Sequence, residues 1–209
     1  MMCVPLSAAQ VEAAVQLRLG YMPQLATADE ALVDLATAGP AVDLSATIVR
    51  AAAVNQLYAA GVPFSNLMQM AQYISGAWPA CPPATNAAVV AIANNSGGDA
   101  YVAFASKFVY FFGAPSFAVP IWDSWARSRL RFHMGYTGGD YVTYASFFMD
   151  AVTLRTSVSP TPSFRDLDRY LWLSAQCGTT TSGEVGALFG PPIPDPEIAS
   201  LVATMMGPV

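Results

Sequence analysis

The sequence predicts an all-α protein of about ten helices. Apolar residues recur at helical spacing along most of the chain, most clearly over residues 64–76, and no run of alternating β-branched residues reaches strand length between turns. With 209 residues, of which 54% are apolar, the chain can bury a large core in a single domain. A proline-rich joint at residues 78–83 allows this domain to be divided into two lobes, 1–80 and 81–209.

The first half of the chain is predicted to contain five helices. They cover residues 8–20, 28–37, 46–60, 64–76 and 84–94. Ser7 is a good N-cap for the first helix, because its hydroxyl can accept a hydrogen bond from a backbone amide of the first turn. Either Asp43 or Ser45 begins the third helix, for the same reason.

The second half is predicted to contain five more helices. The first of them carries Lys107, is capped by Asp99 and runs to Gly113, and the next begins near Trp122 or Asp123. The remaining three cover residues 141–155, 164–176 and about 195–206, with Ser163 as the cap of the helix at 164. Many Gly, Thr and Pro residues before the last helix predict an irregular segment over 178–196.

The charge of the chain argues against a protein that holds nucleic acid by electrostatic attraction alone. The net charge is −5, and residues 1–98 contain two cations against five acids. Residues 99–172 contain seven cations against six acids, and three of these cations, Arg127, Arg129 and Arg131, lie on one predicted helix. A nucleic-acid surface is therefore expected only in the second half.

The cysteines and the N-terminus predict a cytoplasmic protein. Cys3, Cys81 and Cys177 are far apart and fit neither a disulfide framework nor a metal site, so we expect a reducing compartment and no metal. No signal-peptide pattern opens the sequence. The most apolar window, 101–122, is interrupted by Lys107 and by two prolines, which predicts a buried helix and a loop, with no membrane span.

Lys107 and Asp123 are the two residues that we single out for chemistry. Lys107 is the only lysine of the chain, and it lies in the aromatic stretch 104–112. A lysine that is desolvated loses its proton more easily and becomes a nucleophile. Asp123 follows sixteen residues later, at the predicted start of the next helix. Each also has an ordinary explanation: the lysine amine can extend to the surface, and the aspartate can simply cap its helix.

Residues 104–131 resemble the core of the helix–hairpin–helix DNA glycosylase superfamily. The similarity is greatest to the 8-oxoguanine DNA glycosylase branch and its short bacterial members. Lys107 matches the lysine of that branch, and Val119-Pro120-Ile121-Trp122-Asp123 matches its Val-Pro-Val-Asp loop, with Trp122 as one extra residue. Residues 50–58 and 164–172 also look like the bacterial members, so the resemblance covers about residues 45–176.

The sequence departs from the family pattern at three places. The Leu-Pro-Gly-Val-Gly hairpin that usually precedes the lysine is absent, and Gly97-Gly98 stands in that region. Ser124 follows the aspartate where the family has His or Asn. The cysteines of the family's iron–sulfur tail are absent, since Cys177 stands alone, and no cofactor is expected.

The resemblance implies a DNA glycosylase that acts on double-stranded DNA. A damaged or modified base would be flipped into a pocket, and ionised Asp123 would stabilise the positive charge that develops on the sugar. Lys107, as a neutral amine, would attack C1′ and form a Schiff base, which permits strand cleavage by β-elimination. The partner would be duplex DNA with an altered base, and we expect a monomer.

Further site residues follow from this reading. The candidates for the walls of a base pocket are Phe111, Trp122, Trp125, Trp172 and Asn55. Aromatic residues in such positions are more often core residues, and Asn55 can equally be a buried amide with its hydrogen bonds satisfied. The candidates for contacts with the DNA backbone are Ser106, Ser124, Arg127, Arg129 and Arg131. The only histidine, His133, is expected near the C-terminus of a helix, where a cation is favoured.

The acidic composition suits a narrow substrate. A protein with weak attraction to undamaged DNA fits a bulky hypermodified base, and some short bacterial members of the family belong to anti-phage systems. Two alternatives stay open: a helical DNA- or protein-binding module that keeps the glycosylase shape without chemistry, and a Schiff-base enzyme for a small carbonyl compound. The second of these leaves the Val-Pro-Ile-Trp-Asp loop unexplained.

Overall fold

The computed structural model describes residues 4–37, 43–78, 80–179, 189 and 196–207. Over these residues the chain is all-helical, with ten α-helices and no β-strand, as the sequence predicted. The α-helices are α1 (Ala8–Tyr21), α2 (Pro23–Thr37), α3 (Leu44–Leu57), α4 (Phe64–Ala77), α5 (Asn86–Asn94), α6 (Val102–Phe112), α7 (Ser124–Met134), α8 (Tyr144–Ser157), α9 (Phe164–Thr179) and α10 (Pro196–Met206). None of these helices is long and apolar enough to cross a membrane.

Most helices begin at the side chains that the sequence indicated. Ser7 forms a reciprocal capping box with Gln10 at the start of α1. Asp43, and not Ser45, caps α3, with its Oδ1 2.6 Å from the amide of Ala46. Ser163 accepts a hydrogen bond from the amide of the third residue of α9. These three predictions are confirmed because a cap depends only on residues within one turn.

Three predicted helix starts were wrong. α2 begins at Pro23 instead of residue 28, because proline is well suited to the first helical position. Asp99 does not cap the Lys107 helix but lies within a short 3-10 helix, Gly98–Tyr101. α8 begins three residues later than predicted, where the Thr143 side chain accepts from the amide of Ser146. The predicted irregular segment lies almost entirely outside the described residues.

The chain divides into two compact units. The first consists of Met1–Thr27 and Asp123–Val209, and the second of Ala28–Trp122, so the boundaries do not fall at residue 80. The proline-rich joint lies inside the second unit, between α4 and α5. There the backbone pairs with the loop after α6, since the amide of Ala84 donates to the carbonyl of Ala114 and the amide of Ala114 donates to that of Pro82.

The second unit contains most of α2 together with α3 to α6, and α6 is its central helix. Ten of the eleven residues of α6 are buried, all but Ala103. The ring of Phe108 lies 5.1 Å from that of Phe112, and the ring of Phe111 lies 5.9 Å from that of Phe117 in the loop that follows. The loop after α6 is thus joined to the same aromatic core that surrounds Lys107.

The first unit contains α1 and α7 to α10. In this unit α9 packs against α1, α7 and α10. Its core includes the fully buried side chains of Leu17, Leu130, Phe147, Leu167 and Tyr170. α7 is capped at its N-terminus by Asp123 and at its C-terminus by Gly135, whose left-handed conformation (φ 72°) terminates the helix.

Candidate functional site

Lys107 is buried near the middle of α6. The residue is only 9% exposed, and its Nζ lies 5.3 Å from the centre of the Tyr58 ring, a cation–π distance. The amine therefore lies against an aromatic face, and the structure does not favour the alternative in which it extends into water.

Tyr58 is itself fixed by a buried carboxylate. Its hydroxyl donates to Oδ1 of Asp29 over 2.6 Å, and Asp29 is only 5% exposed. The Tyr58 ring also lies 5.6 Å from the ring of Phe111, one turn after Lys107 on α6. Tyr58 and Asp29 were not predicted as site residues. The sequence offered two weak signals: Tyr58 ends the segment 50–58 that was noted for its resemblance, and Asp29 is a carboxylate one turn before the apolar Leu32 on α2.

Asn55 holds the loop that follows Tyr58. Its amide donates to the carbonyl of Val62 (3.0 Å) and accepts from the amide of the same residue (2.9 Å). Between Asn55 and Val62 the chain reverses its direction through Ala59 and Gly61, which both have a positive φ. The structure thus gives Asn55, a candidate for the base pocket, a structural role at the end of α3.

Arg50 links the helices that carry Asp29 and Tyr58. Its guanidinium donates to the carbonyls of Leu35 and Ala36 at the C-terminus of α2, where a cation is favoured. It also lies 5.4 Å from the ring of Phe112 on α6. Burial lowers the pKa of Arg50, and the neighbouring Cys81 and Asp43 act in the opposite direction.

Ser106 fixes the segment that leads to Asp123. It has no exposed surface, and its hydroxyl donates to the carbonyl of Ala103 (3.1 Å) and accepts from the amide of Trp122 (3.0 Å). Val119 and Ile121 of the same loop are buried. The burial of Ser106 speaks against its predicted contact with a DNA backbone, because its hydroxyl is used inside the second unit.

Asp123 is the N-cap of α7, in the first unit. Its Oδ1 accepts from the amide of Ala126 over 2.7 Å, so the ordinary explanation of this aspartate is correct as far as the helix is concerned. The positive end of the helix dipole favours a negative charge at this position. Ser124 is exposed directly after it.

Two of the three arginines of α7 hold a neighbouring loop. Arg127 forms an ion pair of 2.7 Å with Asp140, and Nη2 of Arg131 donates to the carbonyl of Gly138 over 2.7 Å. Both are half-buried, so a contact with DNA stays a prediction for them and for Ser124.

An open cleft of about 490 Å³ lies beside this loop. The residues that line it are Arg131, Tyr136, Gly138, Asp140, Tyr141, Val142, Ser146, Met149 and Asp150. The hydroxyls of Tyr136 and Tyr141 both donate to Oδ2 of Asp150, over 2.9 and 3.0 Å. Burial and the bond to Asp150 raise the pKa of Tyr141, so its phenol remains a protonated donor at neutral pH.

The third arginine, Arg129, is buried in a polar network. Its Nη2 donates to the hydroxyl of Tyr170 over 3.1 Å, and that oxygen lies 2.7 Å from Nε2 of His133. Nδ1 of His133 lies 2.8 Å from the carbonyl of Val4, which can only accept. His133 therefore carries its proton on Nδ1, and Tyr170 donates to Nε2. Arg129 thus has a structural role in this buried network, and its burial argues against the predicted contact with DNA.

His133 lies in the last turn of α7, as expected. The helix dipole favours a charged imidazole at this position, but burial has the larger effect on the pKa of His133. Burial lowers its pKa to about 4, and the charge of Arg129 acts in the same direction. The unfolded chain, with a histidine pKa of about 6.5, binds more protons than the folded chain between these values. The free energy of unfolding is therefore expected to fall by about 3 kcal/mol as the pH drops from about 6.5 to about 4.

Urea unfolding of the wild type and of His133→Gln over this pH range measures the effect. Glutamine is polar but does not titrate, so the pH dependence of the variant should lack the histidine contribution, while the carboxylates contribute equally to both. Equal slopes in the two proteins would contradict the assignment.

The aromatic candidates lie in different surroundings. Phe111 is buried between Tyr58 and Phe117, and Trp122 is half-buried. In the first unit, Trp125 is 38% exposed, whereas the ring of Trp172 lies 5.1 Å from the guanidinium of Arg18. Trp125 thus presents the more accessible face for stacking. Among the described residues, no group of three or more His, Cys, Asp and Glu side chains is placed to hold a metal ion.

Comparison of the chain with protein-family models, with curated proteins and with solved structures gave no match.

Proposed function

We propose that the protein is a DNA glycosylase that removes a damaged or modified base, acting as a cytoplasmic monomer. One observation carries the proposal: the only lysine of the chain is buried on an apolar helix, with its amine against Tyr58. A lysine whose amine is largely removed from water loses its proton more easily than an exposed lysine, and a neutral amine is the nucleophile that this reaction requires. Buried ionisable groups of this kind are concentrated at functional sites.

The proposed reaction has two stages. As the N-glycosidic bond breaks, its electron pair leaves with the base, and the Asp123 carboxylate stabilises the cation that develops on the sugar. The neutral amine of Lys107 then bonds to C1′ and, after loss of a proton and opening of the sugar ring, forms a Schiff base. Elimination of the 3′-phosphate cuts the strand. If the amine stays protonated, water takes its place and only the base is removed.

The charges of the described residues support a substrate that is recognised by its base. Arg127, Arg129 and Arg131 each bind a partner within the chain, and the net charge is −5. Attraction to unmodified DNA is therefore weak. We propose a bulky hypermodified base, such as those of phage DNA, as the natural target. This choice rests on analogy with the short bacterial members of the family that the sequence resembles.

Two DNA substrates test the proposal. A duplex oligonucleotide with 8-oxoguanine and phage DNA with glycosylated cytosine are incubated with the protein at low salt, beside unmodified DNA of the same sequence. Abasic sites on one of the modified DNAs, together with a covalent adduct after borohydride reduction, are the expected result. Absence of abasic sites on both modified DNAs would overturn the proposal.

A second candidate is a helical binding module without chemistry. It is favoured by one observation, namely that Asp123 caps α7 in the same way that Asp43 caps α3, so its presence requires no reaction. This candidate predicts that Lys107→Ala and Asp123→Ala bind DNA or protein as well as the wild type does. It also predicts that borohydride traps no adduct.

A further inference from the structure

Three polar side chains from three helices meet in the interior of the second unit. Lys107 belongs to α6, Tyr58 follows the last residue of α3, and Asp29 belongs to α2. The Lys107 amine lies 5.3 Å from the centre of the Tyr58 ring, and the hydroxyl of that ring lies 2.6 Å from Asp29 Oδ1. The proposed reaction uses neither Tyr58 nor Asp29, so their arrangement around the amine needs its own explanation.

The arrangement balances two buried charges across one aromatic ring. Asp29 is 5% exposed and Lys107 is 9% exposed, so each ion is largely removed from water. A phenol that donates to a carboxylate becomes richer in electrons, and this strengthens the attraction of its ring face for an ammonium ion. Tyr58 thus interacts with both charges: its hydroxyl donates a hydrogen bond to Asp29, and its ring face attracts the ammonium ion of Lys107.

The position of the ring is fixed from several sides. Asp29 holds its hydroxyl, Phe111 contacts it at 5.6 Å with the planes inclined at 53°, and the Asn55–Val62 hydrogen bonds fix the backbone that follows. Arg50 joins α2 to α3 through the carbonyls of Leu35 and Ala36. The Tyr58 ring therefore can move little. The Lys107 amine, which lies against the face of this ring, is held in one place with it.

We propose that Tyr58 and Asp29 are positioning residues for Lys107. The Tyr58 face holds the amine in one place, and Asp29 fixes the ring and supplies the compensating charge. The catalytic consequence, that a placed amine reaches C1′ faster, rests on the proposed glycosylase function. The placement itself does not, and it can be measured without DNA.

The single lysine allows a direct measurement. Protein grown with [13Cε]lysine gives one lysine signal, and its shift against pH reports the protonation of Lys107. In Tyr58→Leu the ammonium loses the ring, so its proton should be held about 3- to 30-fold more weakly and the midpoint should move to lower pH. Asp29→Asn, which can still accept from the hydroxyl but lacks the charge, should shift in the same direction. Tyr58→Phe, which retains the ring, should shift least.

Matched controls come from the same unit. Asp34→Asn removes an exposed carboxylate from α2, and Tyr73→Leu removes a ring that contacts Trp78. Both should leave the Lys107 midpoint unchanged. Thermal unfolding shows which variants are folded. If Tyr58→Leu does not fold, Asp29→Asn decides the electrostatic question.

The pH profile of adduct formation tests the catalytic consequence. At saturating modified DNA, the rate of borohydride-trapped adduct is measured at the alkaline plateau, where the amine is neutral. It should fall at least about 10-fold in Tyr58→Leu, because the neutral amine also loses the ring face with which its N–H groups are in contact, and a displaced nucleophile attacks poorly. Tyr58→Phe should lie between this variant and the wild type. The dissociation constant for DNA should change less than about 2-fold, since the ring holds the amine and not the DNA.

The titration of Lys107 and the adduct measurement together distinguish the positioning proposal from the glycosylase proposal. A midpoint that moves in Tyr58→Leu, while the wild type forms neither abasic sites nor an adduct on the modified DNAs, supports the positioning and refutes the glycosylase. The positioning is overturned if folded Tyr58→Leu and Asp29→Asn keep both the wild-type titration midpoint of Lys107 and the wild-type plateau rate of adduct formation. This holds even when the wild type is active. A plateau rate that falls only in proportion to the folded fraction also overturns the positioning, because it shows a merely structural role.

Discussion

Asp123→Asn is expected to lose base excision by at least about 100-fold while the fold remains intact. Asparagine is as good an N-cap as aspartate, so the hydrogen bond to the amide of Ala126 persists in the variant. Only the negative charge is removed, and a neutral amide cannot stabilise a cation on the sugar as a carboxylate does. Loss of one preorganised electrostatic group typically reduces a rate by about 10²–10³. Single-turnover release of the modified base measures the effect.

Asp43→Asn is the matched control. Asp43 caps α3 with the same geometry, since its Oδ1 accepts from the amide three residues later. Both variants should keep the free energy of unfolding within about 0.5 kcal/mol of the wild type. Only Asp123→Asn should lose activity. Equal activity of the two variants would show that Asp123 is a cap and nothing more.

Lys107→Met is expected to separate the two products of the reaction. Methionine fills the volume of the lysine stem but has no amine, so no Schiff base forms, and the trapped adduct and strand cleavage disappear. In the proposed reaction base excision depends on Asp123, so it should continue with water as the nucleophile. Trapping and strand cleavage are measured beside alkali-labile sites on the same DNA.

The stability of Lys107→Met provides an internal check. The variant no longer buries an ammonium ion, but Asp29 loses its compensating charge, and these effects oppose each other. The free energy of unfolding should therefore stay within about 1 kcal/mol of the wild type. A variant that is stable and still forms the adduct would exclude Lys107 as the nucleophile, and so would an adduct that forms at another amine.

Local sequence signals predicted the helices well, and the failures have local causes. Ser7, Asp43 and Ser163 begin helices because each hydroxyl or carboxylate oxygen needs only an amide two or three residues away. Asp99 looked like such a cap, but the chain forms a 3-10 helix there. At the predicted start of α8, Oδ2 of Asp140 binds Arg127 and its Oδ1 accepts from the amide of Tyr141, and the helix begins three residues later, where Thr143 caps it.

The site was harder to predict than the helices. The sequence indicated Lys107 because a lone lysine among aromatic residues is conspicuous, and its burial agrees with that reading. It offered no reason to connect Lys107 with Asp29 or Tyr58, which lie far away along the chain. It also grouped Arg129 with Arg127 as candidates for a DNA contact, although residues two apart lie on nearly opposite sides of a helix, and the structure buries Arg129 against Tyr170. Helical spacing does not reveal which side of a helix its neighbours cover.

Local patterns in the sequence are enough to show that this protein is helical and where most of its helices begin and end. They also show that the only lysine lies in the aromatic segment 104–112. These properties depend on hydrogen bonds and apolar spacing within a few residues. The contact of the Lys107 amine with the ring of Tyr58, whose hydroxyl donates to Asp29, is seen only in the tertiary structure, because packing of α2, α3 and α6 brings distant residues together. Such contacts depend on how whole helices bury their apolar surfaces, which no short segment specifies.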